Sequence, residues 1–400
     1  MNQVIFNNRR CAVICERYPF PPRDGITIPV EAYITYLIGK GFAVDLFVLS
    51  QSDVTEFDYT DLPASVNLKS VKIRKYGIIR RTILELLLIR PSFHCFSILN
   101  FGSDEILSDH YDVCISSPIA ACGILPEVEG SSTLKIYAVN DSIKLVDYNR
   151  GSFIHRIRSM FSGYYESRIY KKADQIWVQS QKDLSVIKKY LLPGKVRTVP
   201  NGVPNDLFNV SERSSDHEVA FVWVVSLTPY YKSILFDFVL PSFEELERRG
   251  YRFNLKIVAG GCMDEEVKRA VSIVRSVTLE SSYIPSLRSI YEYADACIAP
   301  VFKNYGRINK VIEAIAAGRP VIGDVTAFNS LGNVPLLRRA VFEFEDMTQF
   351  VAILVRICES PDILKAKGVI CRKYAQSYLS WERTFRRIDK LIGCDDETRS

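Results

Sequence analysis

The chain has 400 residues, of which 48% are apolar and 24% charged, and its formal net charge is +5. This balance is typical of a globular protein of about two domains, and it excludes a mostly disordered chain, a collagen-like repeat and a protein with many membrane spans. The positive excess is too small to indicate a nucleic-acid partner, which normally requires a concentrated basic surface.

The ten cysteines do not indicate a disulfide framework or a metal site. They form no Cys-x-x-Cys pair, and the four histidines are scattered along the chain. The first apolar stretch, residues 11–15, is too short for the core of a signal peptide. No segment reaches the roughly 18 apolar residues of a membrane span. We therefore expect a cytoplasmic protein with reduced, buried thiols and no metal.

Short apolar runs alternate with longer amphipathic stretches in the first half of the chain. They predict strands at 11–15, 43–49, 113–116, 135–139, 175–179 and 196–199, and helices at 28–40, 153–173 and 181–190. Strands that alternate with helices indicate a parallel sheet covered by helices on both faces.

A loop with Pro200, Asn201 and Gly202 and a polar segment, 211–217, predict a linker before the alternation starts again. The second half predicts strands at 219–225, 253–258, around Tyr283, 296–299 and 320–322, and helices at 233–250, 267–274, 287–294, 309–317 and 376–392. The fold class is therefore α/β, with two doubly wound Rossmann-like domains that face each other across a cleft. We expect domains at 1–208 and 209–375 and a C-terminal segment, 376–400, that crosses back to the first domain. Ligands of such sheets bind beyond the carboxyl ends of the strands.

The most informative segment is 299–325, APVFKNYGRINKVIEAIAAGRPVIGDV. A strand ends here, a loop with Gly306 opens a helix near Asn309, and the helix stops at Gly318. The free N–H groups and the dipole of such a helix start attract an anion. Cations in the first turn, Arg307 and Lys310, fit a bound anion. Glu313 shares a helix face with Lys310 and suits hydrogen bonds from sugar or ribose hydroxyls. The alternative is a surface helix with an ordinary Lys–Glu pair.

This segment resembles the C-terminal motif of GT-B glycosyltransferases, in particular the retaining, nucleotide-sugar-dependent family that builds bacterial surface polysaccharides. The family pattern G-x-x-x-K-x-x-E-A-x-A-x-G-x-P-V-[VI] is matched without a gap from Gly306 to Ile322. Further similarities follow in the family's order at 15–25, 173–180, 199–208, 221–232 and 380–391. The resemblance therefore spans nearly the whole chain.

The resemblance implies binding or catalytic roles for several residues. Donor binding is assigned to Gly25, Lys232, Gly306, Arg307, Asn309, Lys310 and Glu313, catalysis to Asp141 and Glu313, and acceptor binding to Arg23 and Asp24. Cations and a helix start would stabilise the diphosphate leaving group, so that no metal or other cofactor is expected beside the nucleotide sugar.

Two departures from the family pattern concern the donor site. Tyr305 stands where many members have a first Glu, and Ser226-Leu227 replaces the usual Gly-Arg, while Lys232 remains. We expect Arg307 to compensate for the lost pyrophosphate contact.

Several of these assignments have structural alternatives. The alternative for Lys232 is a solvated loop lysine. The alternative for Arg23, Asp24 and Gly25 is an ordinary turn without a ligand. Asp141 suits assistance to the acceptor hydroxyl, or a helix cap, a role that Asn140 or Ser142 could fill instead.

Two basic segments suit either a solvated protein surface or contact with anionic lipid at the cytoplasmic face of the inner membrane. The first is the amphipathic stretch 72–96, read as one helix, and the second contains Arg150, His155, Arg156 and Arg158.

The sequence thus favours a metal-independent glycosyltransferase of hexosyl or related groups. It would act on a nucleotide-sugar donor and a glycan or polyprenyl-diphosphate-linked acceptor, with retention of configuration. The alternatives are an inactive homologue that binds nucleotide sugars or acts as a scaffold, and a sugar-nucleotide epimerase.

Overall fold

The computed structural model describes residues 9–22, 25–51, 61–87, 91, 94–99, 110–118, 121–124, 133–145, 153–189, 191, 194–213, 218–260, 265–281, 287–303, 307–332 and 334–394. Its contacts divide the chain into two compact units. The first comprises Met1–Asn201 and Thr384–Ser400, and the second Gly202–Arg383.

The first unit is built on an eight-stranded sheet in the order β4-β3-β2-β1-β5-β6-β7-β8. Its strands are β1 (Arg10–Cys15), β2 (Ala43–Ser50), β3 (Val66–Lys75), β4 (Phe96–Ile98), β5 (Val113–Ser117), β6 (Leu134–Val139), β7 (Gln175–Val178) and β8 (Val196–Thr198). All neighbouring pairs are parallel except β3 and β4, which are antiparallel. The central strands are almost entirely buried, as expected when helices cover both faces of a parallel sheet.

Within the described part of the first unit, four helices connect these strands. They are α1 (Thr27–Gly39), α2 (Ile78–Leu86), α3 (Phe153–Tyr170) and α4 (Gln181–Ile187). A short 3-10 turn follows β5 at Ala121–Ile124.

The second unit is built on a six-stranded, wholly parallel sheet in the order β11-β10-β9-β12-β13-β14. Its strands are β9 (Val219–Ser226), β10 (Phe253–Gly260), β11 (Val277–Glu280), β12 (Ala296–Ala299), β13 (Val321–Asp324) and β14 (Phe342–Phe344). The order runs outward on both sides from the adjacent pair β9 and β12, which is the strand order of a Rossmann sheet.

Helices surround the second sheet. They are α5 (Pro229–Ile234), α6 (Leu240–Arg248), α7 (Glu265–Val271), α8 (Leu287–Tyr293), α9 (Asn309–Ala316), α10 (Val325–Phe328), α11 (Pro335–Ala340), α12 (Met347–Glu359) and α13 (Asp362–Tyr378). The last helix, α14 (Trp381–Ile392), begins in the second unit and continues into the first. Short 3-10 turns lie at Asn205–Asn209 and Asn329–Leu331.

The prediction of two doubly wound α/β units is confirmed. Three predicted elements differ from the observed ones in detail, and the strand predicted around Tyr283 lies outside the described residues. The stretch 233–250 contains a π-helical turn, Leu235–Val239, just before Pro241, whose missing N–H interrupts the regular helical hydrogen bonds. The stretch 72–96 is not one helix, because residues 72–75 pair with β2 or β4 inside β3 and α2 spans only Ile78–Leu86.

The predicted C-terminal helix 376–392 is broken at Leu379 and Ser380. The carbonyl oxygen of Leu379 accepts a hydrogen bond from the Val203 N–H (2.9 Å), and Ser380 forms a bridge with the same residue. These backbone contacts replace the helical hydrogen bonds, so that α13 ends at Tyr378 and α14 starts at Trp381.

The described cysteines are free thiols, and most of them are buried. Within the described ranges, no helix is both long and apolar enough to cross a membrane.

Candidate functional site

The helix predicted to carry the donor site is α9. Ile308 precedes it with an extended backbone, and its carbonyl oxygen accepts hydrogen bonds from Val311 (3.1 Å) and Ile312 (3.3 Å). The helix ends at Gly318, whose φ of 71° lets the chain turn back. Because β12 precedes α9 and lies beside β9, the start of the helix lies at the switch point of the sheet, where ligands of such folds bind.

Glu313 lies within α9 and is only 6% exposed. Tyr291, on α8, donates a hydrogen bond from Oη to Oε2 of Glu313 (3.1 Å). Burial raises the pKa of Glu313, while the hydrogen bond from Tyr291 and the charge of Lys310 act in the opposite direction. The carboxylate is thus held in one position, with further lone pairs for a ligand.

Arg319 holds the backbone of Tyr291, the residue that donates to Glu313. Its Nε donates to the carbonyl oxygen of Tyr291 (2.7 Å), and its Nη2 donates to that of Ser211 (2.6 Å). The side chain is buried. A chain of hydrogen bonds therefore runs from Arg319 through Tyr291 to Glu313.

Two cations flank the start of α9. Burial lowers the pKa of Lys310 to about 8, an effect that the charge of Glu313 partly offsets. Burial likewise lowers the pKa of Arg307 to about 10, with a smaller opposing effect of Tyr374. Within the described part of the chain, the Nε and Nη2 groups of Arg307 and the Oδ1 atom of Asn309 are buried without a hydrogen-bond partner. Buried polar groups of this kind normally have a partner, so these atoms fit a ligand that supplies one.

Lys232 lies on α5, the first helix after β9. The neighbouring Tyr230 donates a hydrogen bond from Oη to the carbonyl oxygen of Val301, at the end of β12. The N–H of Val301 is bonded to Oδ1 of Asp324. These contacts tie the helix that carries Lys232 to the segment that leads to Arg307, and Phe302 in this segment has the unusual φ of 51°.

A pocket of about 430 Å³, including its open mouth, lies at this end of the sheet. Its lining combines β9, β12 and the start of α9, with Trp223, Tyr231, Pro300, Ile308 and Lys310 among its residues. Aromatic and apolar walls with one cation suit a ligand that has both a flat or apolar part and an anionic part.

In the first unit, the structure brings Gly25 close to the loop that carries Asp141. Asn140 donates from Nδ2 to the carbonyl oxygen of Gly25 (3.4 Å) and accepts at Oδ1 from Gln179 (3.1 Å). The Asp141 carboxylate forms no hydrogen bond with any described residue, so the structure shows no capping contact for it. Part of Asp141 reaches solvent, but the surrounding protein shields its carboxyl group from water and so raises its pKa to about 6. The negative charge of Asp183 raises the pKa further.

Two buried acidic residues hold the loop after β6. Asp183 accepts the N–H of Ser142 (3.1 Å), and Glu166 accepts the Ser142 hydroxyl (3.0 Å) and the N–H of Ile143 (2.5 Å). Asp183 also bonds with Ser180, which caps α4. The position of Asp141 therefore depends on carboxylates that pack beneath it.

Three predicted site residues, Arg23, Asp24 and Gly306, lie outside the described residues. The functional neighbours that the sequence analysis missed are Tyr291, Arg319, Asp183 and Glu166. Arg319 directly follows Gly318 in the motif, and Ser180 and Asp183 have the spacing of a capping box. Arg319 and Asp183 could therefore have been found from the sequence. Tyr291 and Glu166 carried no sequence signal. No group of three or more metal-ligating side chains occurs among the residues that the structure describes.

Comparison with known proteins gives a family match for the second unit. Residues 218–359 match the family model described as "Glycosyl transferases group 1". No curated protein matches the chain.

Solved structures match over nearly the whole length. Sucrose-phosphate synthase from Thermosynechococcus elongatus has a TM-score of 0.71 and 16% identity, covering 96% of this chain and 98% of its own. WaaG, a glycosyltransferase involved in lipopolysaccharide biosynthesis, has a TM-score of 0.65 and 14% identity, with 94% and 98% covered. Anabaena Alr3699/HepE in complex with UDP has a TM-score of 0.65 and 9% identity, with 97% and 100% covered. The comparisons confirm the predicted fold: the chain has the GT-B fold of these glycosyltransferases, and residues 218–359 are similar to the glycosyl transferases of group 1.

Proposed function

We propose that the protein transfers a sugar from a nucleoside diphosphate sugar to a hydroxyl group of a glycan or lipid-linked acceptor. The observation that carries this proposal is the start of α9, where buried N–H groups of Arg307 lack a partner among the described residues, beside Lys310 and the hydrogen-bonded Glu313. A diphosphate would supply the acceptor atoms, and hydroxyl groups of the sugar or ribose would donate to the carboxylate. The structural neighbour HepE contains UDP, which supports a uridine nucleotide as the first ligand to test.

In the proposed reaction, the bond between the sugar C1 and the diphosphate oxygen breaks, and the nucleoside diphosphate leaves with the bonding electron pair. The oxygen of the acceptor hydroxyl forms the new bond to C1, and its proton passes to the Asp141 carboxylate and from there to solvent. Arg307, Lys310 and Lys232 would neutralise the charge that develops on the leaving group. We assign Gly306 and Asn309 to the same donor site, and we place Arg23, Asp24 and Gly25 beside the acceptor and donor phosphates.

Asp141 suits the acceptor side of this reaction. A carboxylate with a pKa of about 6 is largely ionised at neutral pH and can accept a hydrogen bond from the attacking hydroxyl. We propose retention of configuration, a role in polysaccharide assembly at the cytoplasmic face of a membrane, and no requirement for a metal. These parts of the proposal follow from the family resemblance.

A panel of nucleotide sugars tests the donor assignment. Thermal shift and calorimetry with UDP-, GDP- and ADP-sugars are expected to identify one base that stabilises the wild type. Arg307→Ala and Glu313→Ala are expected to weaken that binding at least tenfold, while the exposed Arg269→Ala leaves it unchanged. If no nucleotide or nucleotide sugar binds, the donor site is wrong.

A second experiment tests the reaction itself. Product analysis with the bound donor and lipid-linked or free glycans is expected to show transfer that survives a chelator, and NMR of the new linkage is expected to show the donor's anomeric configuration. Donor binding without turnover across a broad acceptor panel would indicate an inactive homologue. Turnover of the donor without any acceptor would indicate an epimerase, and loss of activity with a chelator would exclude metal independence.

A further inference from the structure

The helix α2 is unusual because it has no buried residue. Ile79, Ile83 and Leu86 follow each other at helical spacing and are 74%, 49% and 67% exposed, and Ile78 and Leu87 beside them are also exposed. Leaving four large aliphatic side chains of one short helix, and a fifth directly after it, in water is unfavourable unless another phase or partner covers them.

A second exposed apolar stripe lies on α3. Ile157, Met160 and Tyr164 recur at helical spacing and are exposed, with Met160 at 73%. The hydroxyl of Tyr165 donates a hydrogen bond to the carbonyl oxygen of Glu85 in the last turn of α2 (2.8 Å). This bond makes α2 and α3 neighbours, and we call the exposed apolar residues of the two helices the α2–α3 face.

The charged residues of the two segments 74–87 and 153–170, which contain α2 and α3, are mainly positive. Arg74, Lys75, Arg80, Arg156 and Arg168 are exposed. The acidic residues of the same segments are Glu166, which is buried, and Glu85, which is half-buried. The guanidinium of Arg80 lies 4.1 Å from the ring centre of Tyr76, which keeps this cation next to the start of α2.

We propose that the α2–α3 face is a docking surface for a membrane that contains anionic lipids. Exposed aliphatic and aromatic side chains on helices that also carry exposed arginines match the apolar interior and the negative headgroups of such a surface. A second copy of this chain is a poorer occupant, because a symmetric contact would bring the same arginines together. The α2–α3 face combines two sequence segments that are about 70 residues apart, and it contains none of the donor-site residues.

The experiment is co-sedimentation of the full chain with vesicles of phosphatidylcholine alone and of phosphatidylcholine with one quarter phosphatidylglycerol. The wild type is expected to bind the anionic vesicles and to lose most of this binding between about 0.05 and 0.5 M NaCl, because salt screens the attraction. Arg80→Glu/Arg156→Glu is expected to reduce binding more than tenfold. The control Arg252→Glu/Arg269→Glu makes the same charge change on exposed residues of the second unit and is expected to reduce it much less.

The apolar contribution has its own pair of variants. Ile79→Ser/Leu86→Ser is expected to weaken binding about tenfold. The control Ile273→Ser/Val369→Ser alters side chains of similar exposure, 70% and 60%, and is expected to have no effect. Thermal unfolding checks that all variants fold, and the affinity for UDP, expected to be unchanged, separates this test from the donor-site proposal.

Three results would overturn the proposal. The first is that the wild type does not bind anionic vesicles at low salt. The second is that the control variants lose as much vesicle binding as the variants of the α2–α3 face. The third is that the wild type forms dimers that dissociate in both face variants, while none of these proteins binds vesicles. The third result would assign the face to a contact between two copies.

Discussion

The Oη atom of Tyr291 donates a hydrogen bond to Oε2 of Glu313 across 3.1 Å, from one helix to the next, with both side chains buried. The same hydroxyl lies 3.4 Å from the carbonyl oxygen of Lys310. Tyr291 therefore touches both the carboxylate and the backbone of the helix proposed to hold the donor, without being part of the recognised motif. Several of the following predictions depend on contacts of this kind.

The first prediction concerns Tyr291→Phe. The variant removes one hydrogen bond from a buried carboxylate, and we expect the pKa of Glu313 to rise further because burial is then opposed only by Lys310. Loss of one such bond costs about 1–3 kcal/mol, so calorimetry should show nucleotide-sugar affinity about tenfold or more weaker. Tyr293→Phe, two residues away on the same helix, is the matched control and should bind normally. Equal affinities for Tyr291→Phe and the wild type would mean that the hydrogen bond does not position the carboxylate.

The second prediction uses the lowered pKa of Lys310. Its pKa of about 8, against an ordinary value of 10.5, means that the free protein loses this cation as the pH rises through 8. The affinity for the nucleoside diphosphate should therefore fall above pH 8, by up to tenfold per pH unit, because binding must take up a proton. Lys310→Arg should bind with little change over the same range, while Lys303→Arg should keep the wild-type pH dependence. A flat wild-type profile between pH 7 and pH 9.5 would contradict a direct contact between Lys310 and the diphosphate.

The third prediction concerns Asp141, whose pKa is raised from 3.8 to about 6. If the ionised carboxylate assists the acceptor, activity should decline as the pH falls below 6. Asp141→Asn should reduce activity by about 10²–10⁴-fold and leave the affinity for the nucleoside diphosphate unchanged. Asp206→Asn, an exposed acid elsewhere, should behave as the wild type.

The raised pKa of Asp141 also affects how the stability of the folded protein depends on pH. The folded protein binds this proton more tightly than the unfolded chain, so that the Asp141 contribution to stability is present at low pH and is lost between about pH 4 and 6. Asp141→Asn should therefore unfold at a higher temperature than the wild type at pH 7 but not at pH 4. A variant that is less stable at pH 7 would identify Asp141 as a structural residue instead.

The fourth prediction concerns Gly318, where α9 ends. Its φ is 71°, and a Cβ atom there would come within 2.5 Å of Nε of Arg372, whose guanidinium is bonded to the carbonyl oxygens of Phe208 and Val210. Gly318→Ala should lower the free energy of unfolding by roughly 2 kcal/mol or more. Gly250→Ala has a similar φ of 83° and no atom within 4 Å of the new Cβ, so it measures the backbone cost alone. In urea unfolding, Gly318→Ala should be the more destabilised of the two; equal losses would show that Arg372 moves without cost.

The alternation of strands and helices, the two doubly wound units and the position of the helix with the donor motif could be predicted from the amino-acid sequence. The expected helix 309–317 and the observed Asn309–Ala316 differ by one residue. Helical periodicity, the stop at Gly318 and apolar strand runs are properties of consecutive residues, which is why they can be read from the chain.

The tertiary structure alone decided which side chains surround the predicted ones. Tyr291 and Glu313 are 22 residues apart, Ser142 and Asp183 are 41 apart, and Tyr165 and Glu85 are 80 apart. It also broke the expected C-terminal helix, where the backbone of Val203 takes the place of a helical partner. Such contacts depend on the order of strands in the sheets and on the packing of helices against them. No local pattern of residues encodes that order, and so the partners that set pKa values and positions became visible only in the folded chain.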